Sequence, residues 1–124
     1  MSKPDIAIEV KTQFHPHESS SHEAKYVFSY QIRITNHHPF GIKLISRYWH
    51  ISDAEENVQE VNGQGVIGQQ PEINSGESFQ YTSGVILSTP AGVMHGYYDF
   101  VSDQGEIIQA TIPLFALTDP SFLH

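Results

Sequence analysis

Cysteine is absent from this chain. Disulfides, a thiolate nucleophile and cysteine-ligated zinc are thereby excluded, and a small domain is left dependent on its hydrophobic core. A reducing compartment suits such a composition, and the cytoplasm is the expected location. Apolar runs are short: none approaches the ~18–20 residues that a bilayer-spanning helix needs. The leading Met1-Ser2-Lys3-Pro4-Asp5 also lacks the apolar stretch of a secretory signal, and no membrane insertion is expected. Positive charge is scarce, with six Lys and Arg against 14 Asp and Glu for a net charge of −8. That balance repels phosphate backbones and anionic lipid, so nucleic acid and membrane surfaces are poor partners. Protonating the eight histidines would cancel the −8, which places the expected solubility minimum at about pH 5 to 6. Apolar spacing at i, i+3 and i+4 is missing too, which argues against any helix-rich scheme.

The residues that are present describe strands. Hydrophobic residues make up 39% of the 124 positions and aromatics 11%, spread along the chain as a packed globule requires. One domain over residues 1–124, with its core in about 5–117, is expected. Ile6, Ile8, Val10, Thr12 and Phe14 alternate with polar residues, and Tyr26, Phe28, Tyr30, Ile32 and Ile34 do so again over 25–35. The polar segments His15–Glu23 and Asn36–Gly41 between them read as loops. From Ile42 to Ser52 apolar residues occupy both parities, predicting a strand covered on both sides or crossing between sheets, with Trp49 as a core anchor. Val58–Val61 reads as at most a short edge strand, and 62–76, with four glycines and one proline, as an irregular loop. Further strands are predicted at Ser78–Tyr81, Gly84–Leu87, Gly92–Ser102 and Glu106–Ile112, and Pro113 should stop or bulge the last of them. The fold class that follows is all-β, an antiparallel sandwich or barrel of seven or eight strands.

Candidate chemistry is sparse. Gly63-Gln-Gly-Val-Ile-Gly68 matches G-x-G-x-x-G, which binds pyrophosphate when it follows a strand and opens a helix. Here Gln69-Gln-Pro71 follows and no helix opens, so the glycines Gly63, Gly65 and Gly68 read better as a tightly turning loop. Arg47, Lys43 and Lys25 are among the few cations that could accompany a phosphate-rich ligand. His15, His17 and His22, with His37-His38, fall in polar loops; their spacing matches no standard zinc signature, and they are weak metal candidates. Tyr81-Thr-Ser-Gly84 places two hydroxyls where apolar spacing is interrupted, as a bulge, turn or ligand-binding corner does. No Gly-x-Ser-x-Gly elbow accompanies the serines. A non-catalytic binding domain without a cofactor is therefore expected, and Glu60, Gln70, Thr82 and Ser83 are the candidate partner-binding residues.

Several longer blocks carry a resemblance. Leu44-Ile-Ser-Arg-Tyr-Trp-His-Ile-Ser-Asp53, Glu60-Val-Asn-Gly-Gln-Gly-Val-Ile-Gly-Gln-Gln-Pro71, Phe79-Gln-Tyr-Thr-Ser-Gly84, Thr89-Pro-Ala-Gly-Val-Met-His-Gly-Tyr-Tyr98 and Ile112-Pro-Leu-Phe115 occur in this order. Together they resemble the bacterial ApaG family over essentially the whole chain. The resemblance implies an immunoglobulin- or fibronectin III-like sandwich in the bacterial cytoplasm and a link to cobalt and magnesium tolerance or efflux. It also implies a neighbourhood of dinucleoside polyphosphate metabolism and relatives fused to partner-recruiting proteins. A protein partner is the occupant it favours; a dinucleoside polyphosphate at Gly63–Gly68 and direct metal binding by loop histidines are the alternatives. With no membrane span, an effect on efflux would have to pass through another protein, and an exposed edge strand would also permit a homodimer.

Overall fold

A computed structural model describes residues 5–123; the polar N-terminal segment 1–4 and residue 124 lie outside the described residues. Eight strands run in chain order: β1 (Ile6–Phe14), β2 (Tyr26–Asn36), β3 (Ile42–Asp53), β4 (Val58–Gln64), β5 (Glu72–Ile73), β6 (Ser78–Leu87), β7 (Ala91–Ser102) and β8 (Ile107–Thr118). They form two antiparallel sheets, β1-β2-β6 and β4-β3-β7-β8, and the short β5 pairs with the start of β3. The all-β sandwich predicted from period-2 spacing is the fold observed.

The alternation in β2 translates directly into packing. Phe28, Tyr30, Ile32 and Ile34 point inward and are buried, and Ile6, Ile8, Val10 and Phe14 of β1 pack beside them. Trp49 sits between the sheets, edge-on to Tyr30 at 5.3 Å, to Phe115 at 5.8 Å and to Tyr98 at 6.3 Å. Aromatic rings in this arrangement fill the sandwich with large apolar area and favourable quadrupole geometry.

Four expectations change. The double parity of β3 arises from a bulge: the β3–β7 register shifts between Leu44 and Ser46, so Ile42 and Leu44 face inward before it, and Arg47, Trp49 and Ile51 after it. The strand neither crosses between sheets nor is buried on both sides. Residues 62–76 are not wholly irregular, since β4 continues through Asn62, Gly63 and Gln64 opposite Tyr48, Arg47 and Ser46, and β5 follows. Tyr81-Thr-Ser-Gly84 is no corner. It is the middle of a continuous β6, paired residue by residue with Ile32 to Ser29, because two hydroxyls alternating in and out of a sheet do not interrupt its ladder. Finally, β8 runs through Pro113 to Thr118. Pro113 falls at a register shift where His95 alone faces Pro113 and Leu114, so the missing N–H is placed where the ladder is already interrupted.

Candidate functional site

The glycine motif folds as a hairpin rather than a phosphate cradle. Val66 and Gln69 exchange two backbone hydrogen bonds of 2.8 Å, and the two residues between them have positive φ, 44° at Ile67 and 77° at Gly68. This is the primed turn that matches strand twist. Gly65 has φ 61°, and a Cβ there would overlap the Gln69 carbonyl oxygen, so only glycine fits. The Gly65 N–H donates to the Ile45 carbonyl at 2.7 Å, and the Gln70 amide donates to the same oxygen at 2.9 Å. The hairpin thus clasps the β3 bulge and buries Val66. With the Gly65, Val66 and Gln69 amides committed inside the fold, little of the motif's N–H array is left to face an anion.

Arg47 connects this hairpin to the interior. Its Nη1 donates to the Gly65 carbonyl at 2.8 Å and the Gln64 carbonyl at 3.2 Å. The guanidinium lies flat over Gly63, where an added Cβ would come within 2.7 Å of Nη1. No carboxylate lies within ion-pair distance of Arg47 among the described residues. The side chain lines the gap between β4 and β6, edge strands of the two sheets. There a cleft of about 520 Å³ is lined by Tyr30, Arg47, Trp49, Gln59, Val61, Ser83, Gly84, Val85 and Ile86, among others. Across its mouth the Gln59 amide reaches the Ile86 carbonyl at 3.5 Å.

The electrostatics of the floor follow from burial. Burial lifts the Tyr30 phenol above its ordinary value, opposed by the Ser83 hydroxyl and the Arg47 charge. Deeper in, the Tyr81 and Tyr98 hydroxyls hydrogen-bond each other, and burial keeps both strongly protonated. The indole Nε1 of Trp49 is buried without an acceptor. The cleft is lined mainly by apolar side chains, with Arg47, Gln59, Tyr30 and Ser83 as its polar groups, and no carboxylate or histidine lines it.

The predicted partner residues do not converge. Ser83 faces the cleft, whereas Thr82 points to the opposite face of its sheet, above Lys11, Gln13 and Gln31. Glu60 pairs across from His50 on the outer face of the larger sheet, and Gln70 is occupied by the bulge. His15 Nε2 lies 2.7 Å from Ser29 Oγ, while His17 and His22 are exposed. Among the described residues no three His, Asp or Glu side chains are grouped as a metal ion requires, so these histidines are not brought together. A feature that sequence reading missed lies on the outer face: His50 stacks on His95 at 4.7 Å, and Tyr48 on Tyr97 at 5.0 Å. The strings Tyr48-Trp-His50 and His95-Gly-Tyr97 are the matching signal, visible only once β3 and β7 are paired.

Comparison with known proteins agrees with this architecture. The family model described as ApaG domain matches residues 16–102. Protein ApaG of Shewanella baltica is 49% identical over 119 residues, covering 96% of this chain and 94% of that protein. Protein ApaG of Acidithiobacillus ferrooxidans is 46% identical over 120 residues, covering 97% and 94%. The crystal structure of a putative ApaA protein from Bordetella pertussis superimposes with a TM-score of 0.91 at 44% identity, covering 94% of each chain. None of these names states a reaction. By family match, by relatives of this identity along nearly its full length and by a shared fold, the chain belongs to the ApaG family.

Proposed function

We propose that this chain is a non-catalytic binding domain that takes an extended segment of a protein partner along its open β4–β6 side. The observation that carries the reading is the pair of unpaired sheet edges facing each other across the cleft. A free strand edge offers a row of backbone donors and acceptors, and strand addition is a recurring way of capturing peptides. Natural edges are commonly guarded by Lys, Pro or a bulge. The ten residues of β6 contain no Lys or Pro and pair with β2 without a register shift. At the rim Ile86 remains 53% exposed, an apolar anchor for an incoming side chain. The chemistry of the lining supports binding over catalysis, because Ser83 has no His or carboxylate in the cleft to activate it. A role in cobalt and magnesium tolerance would then be exercised from the cytoplasm through the captured partner.

Site-specific photo-crosslinking tests this. A photoreactive residue at position 86 should trap a reproducible partner, one at the more exposed position 107 on β8 should not, and Gln59→Lys should abolish the product at 86. Trapping a second copy of this chain would make the edge a homodimer interface instead. Identical products from both positions, or none from either, would refute the reading.

A further inference from the structure

We infer that the floor of the β4–β6 cleft is a carboxylate subsite, which receives an acidic side chain from the partner segment; this rests on the strand-capture reading above. Three features meet there. Arg47 is partly buried, spends one nitrogen on the Gln64 and Gly65 carbonyls, and has no carboxylate partner among the described residues. Trp49, 1% exposed, adjoins the same cleft, so its indole senses what enters there. The Tyr30 and Ser83 hydroxyls, opposite each other in the β2–β6 register, share the lining.

A half-buried cation without a counter-ion carries a desolvation cost, and an acceptor-only anion relieves it. A carboxylate is such a group, and the planar guanidinium can meet it with two parallel N–H donors. The charge of the ligand is bounded as well. One cation in a chain of net charge −8 suits a monoanion better than a phosphate dianion. The absence of acidic residues from the lining, in a protein with 14 of them, keeps the subsite free of internal competition.

The chain has one tryptophan, so the indole N–H resonance of Trp49 reports the subsite alone. The intact protein is titrated with N-acetyl-glutamate N-methylamide to about 50 mM, which detects dissociation constants of about 10 mM. The neutral glutamine analogue and inorganic phosphate at matched ionic strength are run beside it. The glutamate compound should move the indole resonance saturably and the glutamine analogue should not, with phosphate weaker. Ser83→Ala and Arg47→Lys should each weaken the response roughly threefold to tenfold at unchanged fold, judged by the remaining amide spectrum. Equal responses to the glutamate and glutamine compounds, no response at all, a phosphate response as strong as the carboxylate, or indifference to both substitutions would each overturn the subsite. Crosslinking at position 86 that persists after such a result removes the subsite and leaves the strand-capture reading standing; loss of both removes both.

Discussion

The two sides of the sandwich are finished in opposite ways. On one side β1 lies against β8, and Phe115 and Leu117 of β8 close the core over Trp49 and its neighbours. On the other, β4 and β6 face each other across a cleft lined mainly by apolar side chains with Arg47, Tyr30 and Ser83 among them, bridged by a long Gln59–Ile86 hydrogen bond. The closed side is packed shut; the open side leaves, among the described residues, a cation without a carboxylate and two strand edges without a neighbouring strand. A sandwich of this size can leave one seam open because apolar burial elsewhere suffices, and the open seam is where a binding function has room.

Substitutions can sharpen the contrast. Leu117 is fully buried on the closed side, and Leu117→Ala should cost about 3 kcal/mol by urea denaturation. Ile86→Lys on the open rim should stay within about 0.5 kcal/mol. Comparable losses at the two positions would erase the distinction. Gly65→Ala is next: an added Cβ would strain a left-handed backbone and collide with the Gln69 carbonyl, costing about 2 kcal/mol or more. Because Arg47 hangs from this hairpin, the substitution should also disturb the cleft, visible as a shift of Trp49 emission. In the Tyr98→Phe variant the Tyr81 hydroxyl loses its bonded partner, for about 1–2 kcal/mol by thermal unfolding.

The smallest effect is a pH effect at the end of the open side. The Asp53 carboxylate accepts from the Asn57 side chain at 2.8 Å and from Ser88 Oγ at 2.9 Å, tying the β3–β4 turn to the end of β6. Those bonds, Asn57 foremost, hold its pKa down to about 2 against an ordinary 3.8. A carboxylate lowered in the folded state contributes stability that is fully present above the unfolded value and is lost as pH falls through the folded one. The wild type should therefore lose stability between about pH 4 and pH 2, and Asp53→Asn should flatten that segment of a Tm-against-pH profile. An unchanged slope would show that the Asp53 bonds do not couple to folding.

Much of the fold was legible because period-2 alternation is a local property. Phe28 to Ile34 declare their buried face without reference to any other strand. The boundaries at β6 and β8 were misjudged for the converse reason. Whether Thr82-Ser83 bends or pairs depends on β2 lying alongside, and whether Pro113 ends a strand depends on β8 bulging there opposite the single residue His95. The site was less legible. Trp49 reads from sequence as an apolar anchor and Arg47 as one of few cations, but nothing local says that both line one cleft with Ser83, 34 to 36 positions away in the chain.

Composition and alternation by themselves determined an all-β chain without disulfides, a net charge of −8 that disfavours polyanionic partners, and a string of motifs specific enough to indicate the family. Tertiary structure alone decided that the glycine motif is a clasp on the β3 bulge, that Glu60, Gln70, Thr82 and Ser83 point in different directions, and that one seam stays open. The physical reason is range. Strand formation is written in neighbours two residues apart, whereas a bulge, a sheet edge and an unpaired guanidinium exist only relative to residues that the chain brings back from far away.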